Sequence, residues 1–277
     1  MKKFILYCIL ASGLYAQSDS LPQKQWLPSG VAGLNLNQVA LSNWTQGGEN
    51  AISFTLLGNF GLNYFSDPWQ FKNSLKVAYG RTKLGSDDFR TNDNELYLEN
   101  FLSRSVGWTV DPFISNTIRT VVGNGYKYDD STFQTAAFFD PAYITQSLGF
   151  TYNKLKNFST RLGIAFQETV TDQFRYYSDD METPDEIESF KFDTGIESVT
   201  EIEQVVMENM LLKSILRLFS RFDSFDVWDV RWDNIITAKV NEYVNVNFNV
   251  LVIHEISQTR KTQMKEALQL GLTFALF

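Results

Sequence analysis

Val244-Asn245-Val246-Asn247-Phe248-Asn249-Val250-Leu251-Val252 is the stretch that decides the fold class. Valine or phenylalanine fills every even position and asparagine fills 245, 247 and 249. A period of two of this kind belongs to a strand with one apolar and one polar side. Just upstream, Trp228, Val230, Trp232, Ile236, Ala238 and Val240 oppose Asp229, Arg231, Asp233, Thr237 and Lys239. Downstream, Leu268, Leu270, Leu272, Phe274 and Leu276 share a face. Towards the beginning, Ile52, Phe54, Leu56, Phe60, Leu62 and Tyr64 oppose Ser53, Thr55, Asn59 and Asn63, and Phe71, Leu75, Val77 and Tyr79 oppose Lys72, Ser74, Lys76 and Gly80.

Weaker alternation predicts further strands over residues 94–105, 108–121, 143–154, 158–171, 194–207 and 211–220. These runs are roughly 10 to 14 residues long, against about 5 or 6 for soluble strands, and match what a tilted strand needs to cross hydrocarbon. The connections alternate in length. Short ones fall near 66–68, 105–107, 154–157, 208–210 and 241–243, and longer ones near 84–93, 122–142, 172–193, 221–226 and 258–263. Short turns at one end and long loops at the other are the pattern of a membrane barrel. Such a barrel has an even strand count with both ends on one side, so a further strand from about Gly30 to Leu41, with Leu34 and Leu36 outward, completes the set. The expected fold is therefore all-β: a single transmembrane antiparallel β-barrel of 12 strands, with short periplasmic turns and long extracellular loops. Two aromatic girdles fit it, Phe65, Trp69, Trp108, Tyr152, Phe158, Tyr243 and Phe277 at the short-turn side and Tyr79, Phe89, Tyr143, Phe174, Phe222, Phe225 and Trp228 at the other. A soluble sandwich would carry shorter strands and no alternation of loop length.

The first residues indicate the compartment. Lys2 and Lys3 precede an apolar run from Phe4 to Leu14 that ends in Tyr15-Ala16-Gln17, the layout of a secretory signal peptide. The expected organisation is a signal peptide over 1–16, a periplasmic segment over 17–29 and the barrel over 30–277. Cys8 lies inside the apolar run and reads as part of it. The predicted location is the outer membrane of a Gram-negative bacterium, with N and C termini periplasmic. Expected partners are outer-membrane lipid and lipopolysaccharide, the barrel-assembly machinery, and a small solute that the sequence does not name. One cysteine and one histidine in 277 residues exclude disulfide scaffolds and zinc sites of the Cys/His kind. A net charge of −8 argues against nucleic acid, and no cofactor or metal is expected.

The run Asn43-Trp44-Thr45-Gln46-Gly47-Gly48-Glu49-Asn50, leading into the first clean strand, is similar to the opening of an uncharacterised family of Bacteroidota outer-membrane β-barrels catalogued only as a domain of unknown function. Gly125-Tyr126-Lys127-Tyr128-Asp129-Asp130, Phe138-Phe139-Asp140-Pro141-Ala142-Tyr143 and Lys265-Glu266-Ala267-Leu268-Gln269-Leu270-Gly271-Leu272 resemble other parts of it. The resemblance spans nearly all of the chain beyond residue 16 and implies an outer-membrane β-barrel. It implies no activity and no site residues.

Catalysis lacks its usual parts. A serine nucleophile needs a base, and the one histidine, His254, shares the face of Val252 and Ile256, where an interfacial role fits better. Adjacent acids such as Asp87-Asp88 and Asp129-Asp130, and the group Asp179, Asp180, Glu182, Asp185, Glu186 and Glu188, read as solvated loops. No enzyme is expected and no catalytic residue is assigned. The polar faces carry more information. Lys76, Glu99, Glu201, Arg217, Asp229 and Asp233 take inward registers and are the expected pore-lining set. Charges inside a barrel need water or partners. Residues 42–50, with Trp44, Gly47 and Gly48, form either an outer loop or a plug folded inward. Counting outward from a turn centred on Asn209 sets Glu201 opposite Arg217. Counting from a connection centred near Asp223 sets Arg217 opposite Asp229, with Asp233 lower on the same face. The function expected is a narrow pore for small polar solutes, the alternative being a closed or plugged barrel with a structural, anchoring or assembly role.

Overall fold

The computed structural model describes residues 24–43, 45, 48–128, 131–179, 183, 185–256 and 259–276. The expected signal peptide over 1–16, and Trp44, Gly47 and Phe277, lie outside the described residues. Strands β1 (Trp26–Val39), β2 (Ala51–Ser66), β3 (Trp69–Leu84), β4 (Arg90–Arg104) and β5 (Asp111–Thr120) run as a meander. A small separate hairpin, β6 (Gly125–Tyr128) and β7 (Thr132–Ala136), interrupts it. The meander resumes with β8 (Ala142–Leu155), β9 (Phe158–Val170), β10 (Phe190–Met207), β11 (Met210–Arg221), β12 (Asp229–Lys239), β13 (Val244–His254) and β14 (Gln263–Ala275). β1 pairs with β14 over Val31↔Ala275 to Leu36↔Leu270 and closes a barrel of twelve antiparallel strands. Closure gives each barrel strand a neighbour on both sides, the β1–β14 seam being the shortest at six residue pairs. β1 begins at Trp26, four residues ahead of the expected Gly30.

Alternation decides which side each residue takes, and the sides are inverted relative to a soluble protein. Leu56 is 53% exposed while its neighbour Thr55 is 1% exposed, and Leu148 is 49% exposed beside Ser147 at 2%. Leu34 and Leu36 stand outward, in register with Leu272 and Leu270 of β14. In water an apolar exterior of this extent would carry a penalty of about 25 cal/mol per Å², whereas hydrocarbon accepts it. Aromatic clusters mark both rims. At the short-turn end Trp26 lies 4.9 Å from the Tyr64 ring and 5.9 Å from Phe71, and Tyr243 lies 5.8 Å from Phe274. At the long-loop end Phe54 meets Phe89 and Phe166 stacks on Phe192. Two expected girdle members are not there: Phe65 and Tyr143 are 5% and 8% exposed and point into the barrel, because odd positions face the lumen on β2 and β8.

The turns carry their own local chemistry. Ser66 pairs with Trp69 across Asp67-Pro68, and Met207 with Met210 across Glu208-Asn209. Between β12 and β13 the Asn241 side chain accepts from the amides of Tyr243 and Val244, both at 2.8 Å, an Asx turn that reverses the chain in four residues. Long loops join β1 to β2, β3 to β4, β5 to β8, β9 to β10, β11 to β12 and β13 to β14, all at the end opposite Trp26 and Ala275.

Candidate functional site: a bridged lumen

β4 is the strand from which the lumen is organised. Its sequence alternates Glu95, Tyr97 and Glu99 with Leu96, Leu98 and Asn100, so a column of acceptors faces inward, with the Phe101 ring at its lower end. Four cationic side chains reach that column from strands that do not touch β4 in the sheet. Lys265 of β14 lies 2.9 Å from Asp93, and Arg231 of β12 lies 2.5 Å from Glu95. Arg217 of β11 donates from Nη2 to the Tyr97 hydroxyl at 2.9 Å, and Arg161 of β9 pairs with Glu99. In the strand order β12 is diametrically opposite β4, so the Arg231–Glu95 pair spans the full width of the barrel.

Neighbouring groups complete the layer. Glu197 Oε1 lies 3.3 Å from Arg217 Nε, and Glu197 Oε2 accepts from Ser147 Oγ at 2.5 Å. The Arg161 guanidinium sits over the stacked rings of Phe101 and Phe113, 5.5 and 5.9 Å from their centroids. Charge-assisted bonds with several partners hold an arginine in one direction, which a solvated lumen charge would not be.

Above this layer, at the long-loop end, Glu255 turns in from the β13–β14 loop and accepts from Arg119 Nη2 at 2.6 Å. Arg119 in turn lies 4.6 Å over the Tyr143 ring. Asp229 accepts from the Ile256 amide at 3.3 Å, so the first residues of this loop are fastened across the mouth. Arg221 bridges Asp193 and Asp229 beside it, at 3.2 and 2.9 Å. Below the layer, at the short-turn end, lies a cavity of about 130 Å³ whose lining includes Asn59, Lys72, Lys76, Ser159, Glu201 and Lys213. The space on the long-loop side is about 30 Å³, room for a water or two.

The expected lining residues divide among these parts. Lys76 and Glu201 line the lower cavity, with the Lys76 ammonium 5.9 Å from the Tyr97 ring centroid. Glu99 and Arg217 belong to the bridging layer, Asp229 to the upper mouth, and Asp233 stands 3.9 Å from Arg231. The anticipated ladder is corrected in its register. Arg217 is opposite Val199, not Glu201, and opposite Arg231, not Asp229. The β10–β11 turn is centred between Glu208 and Asn209, and an irregularity between Val205 and Met207 adds a second residue of slip. Arg217 therefore meets Glu197, and Asp229 meets Arg221. Gly48 is exposed in the β1–β2 loop, which is closed by the Leu41 amide donating to Asn50 Oδ1 at 2.7 Å; it lines neither cavity. His254 meets Thr262 Oγ1 at 3.1 Å on the outer rim. Among the described residues no three His, Cys, Asp or Glu side chains converge on a metal position.

A family model described as "Protein of unknown function (DUF3078)" matches residues 36–126, from the end of β1 to the start of β6. No curated relative matches. Among solved structures, the translocator domain of autotransporter NalP from Neisseria meningitidis is 7% identical over 92% of this chain and 90% of that one, with a TM-score of 0.37. An outer membrane channel from Pseudomonas putida F1 is 10% identical over 94% and 98%, with a TM-score of 0.41. A mutant porin of Rh. blastica is 8% identical over 90% and 100%, with a TM-score of 0.25.

Proposed function

We propose that the chain is an outer-membrane β-barrel forming a narrow passage for small polar solutes, closed at mid-height in its resting state by its own side chains. Residues 1–16 serve as the secretory signal, the short turns and both termini face the periplasm, and the long loops face outward. The observation that carries this reading is the Arg231–Glu95 contact across the width of the barrel, joined by Arg217 and Arg161, which reach Tyr97 and Glu99 of the same strand β4. A polar lining with a cavity on either side of that layer is what a closed passage needs. A second reading is a barrel permanently shut, with an anchoring or assembly role. It draws on the multiple partners of Arg217, which ties down the layer from β4, β5 and β10 at once.

Solute efflux from liposomes separates the two. Vesicles containing the Arg217→Ala/Arg231→Ala protein should release a small labelled sugar or amino acid faster than wild-type vesicles. Equal, slow release from both, with the barrels intact by circular dichroism, would leave the permanently shut barrel.

A further inference from the structure

The lipid-facing wall formed by β3, β4, β5 and β8 carries an unbroken row of carboxamides. Asn73 is in register with Asn100, Asn100 with Asn116, and Asn116 with Gln146, each on the adjacent strand. All four occupy outward positions. Asn73 shares its face with Phe71 and Leu75, Asn100 with Leu98 and Leu102, Asn116 with Ile114 and Ile118, and Gln146 with Ile144 and Leu148. The bordering Ile114 and Leu148 are 54% and 49% exposed. Asn73 Nδ2 donates to Asn100 Oδ1 at 2.7 Å, but among the described residues neither Asn116 nor Gln146 makes a side-chain hydrogen bond. Acyl chains offer a carboxamide neither donor nor acceptor, so lipid alone is a poor neighbour for this row.

We propose that this wall is an interface with a second copy of the chain within the membrane. A carboxamide both donates and accepts, so a row of them is complementary to itself. A two-fold axis along the membrane normal, beside Asn100 and Asn116, brings these central carboxamides of the two copies together, the isologous arrangement of a symmetric dimer. The surface continues beyond the strands. The β6–β7 hairpin rises from the loop between β5 and β8 and is tied to β4 by the Tyr128 hydroxyl, which accepts from the Thr91 amide at 2.9 Å. Tyr126 shares the face of Tyr128, and Phe133, 49% exposed, lies on the other face beside Lys127.

The test is the molar mass of the processed protein, extracted in mild detergent and measured by light scattering. Wild type is expected as a dimer and Asn116→Leu/Gln146→Leu as a monomer, with Asn234→Leu, on the far wall, still dimeric. A wild type that is monomeric at every concentration overturns the proposal, as does a dimer that survives the double change. Should the double variant not assemble, Asn116→Cys in a Cys8→Ser background decides. A short bismaleimide should join two copies in native membranes at that position and not at Asn234→Cys. Absence of the linked band, or equal linking at both sites, overturns the interface.

Discussion

Arg217 and Tyr97 stand on strands that do not touch in the sheet, yet the guanidinium Nη2 donates to the phenol oxygen at 2.9 Å across the lumen. Tyr97 is the neutral member of an otherwise acidic column of Asp93, Glu95 and Glu99, and the charge of Arg217 is balanced from the other side by Glu197 at 3.3 Å. The ring of Tyr97 also lies 5.7 Å below that guanidinium, so the tyrosine both accepts a bond and supplies a face.

Tyr97→Phe keeps the face and removes the acceptor. The variant should lose about 1.5–3 kcal/mol, the range for a hydrogen bond to a charged donor. Urea unfolding from lipid vesicles, monitored by tryptophan fluorescence, measures it, and a loss below about 0.5 kcal/mol would mean that water already serves Arg217.

Arg161 and Glu99 offer a second check on the same layer, because their side chains are 9% and 13% exposed. Arg161→Met preserves contact with Phe101 and Phe113 but strands a carboxylate, at a cost of about 3–5 kcal/mol. Adding Glu99→Gln should recover most of that loss. A double variant as unstable as the single one would show that packing, not charge, sets the penalty.

The Glu255 contact with Arg119 holds the start of the β13–β14 loop over the outer mouth. Glu255→Ala should free that loop and raise the rate of trypsin cleavage after Arg260 or Lys261 several-fold on intact cells, while Glu266→Ala should leave it unchanged. Equal rates in the two variants would mean that other contacts fasten the loop.

Depth and facing are tested by one pair of changes on β2. Leu56 faces lipid and Asn59 is exposed towards the lower cavity. Leu56→Arg should cost about 2–4 kcal/mol and Asn59→Arg far less. Comparable losses would contradict the assignment of faces.

The faces were legible in the sequence because alternation is a local property: Val244 to Val252 reads the same way whatever its neighbours do. Strand number followed from parity, and the girdles followed wherever the outward register was right. Phe65 and Tyr143 show the limit, since an aromatic residue near a strand end fits either a rim or a packed interior. Pairing across strands was less legible. One residue of turn placement and one irregularity between Val205 and Met207 moved Arg217 from Glu201 to face Val199. Glu95 and Tyr97 could have been found, as they alternate with Leu96 and Leu98 on a clear polar face. Glu255 lies just beyond a strand end, and nothing local says that its carboxylate reaches 136 positions back in the chain to Arg119.

The central claim is that the lumen is closed at mid-height by bridging side chains and opens when they are removed. Single-channel recording in planar bilayers tests it most directly, with refolded wild type and Arg217→Ala/Arg231→Ala compared in the same salt. Wild type should be nearly silent and the double variant should carry steady current, shifted towards cations because Glu197 and Glu95 lose their guanidinium partners. Steady current in wild type, with conductance and reversal potential unchanged in the double variant, would contradict the account.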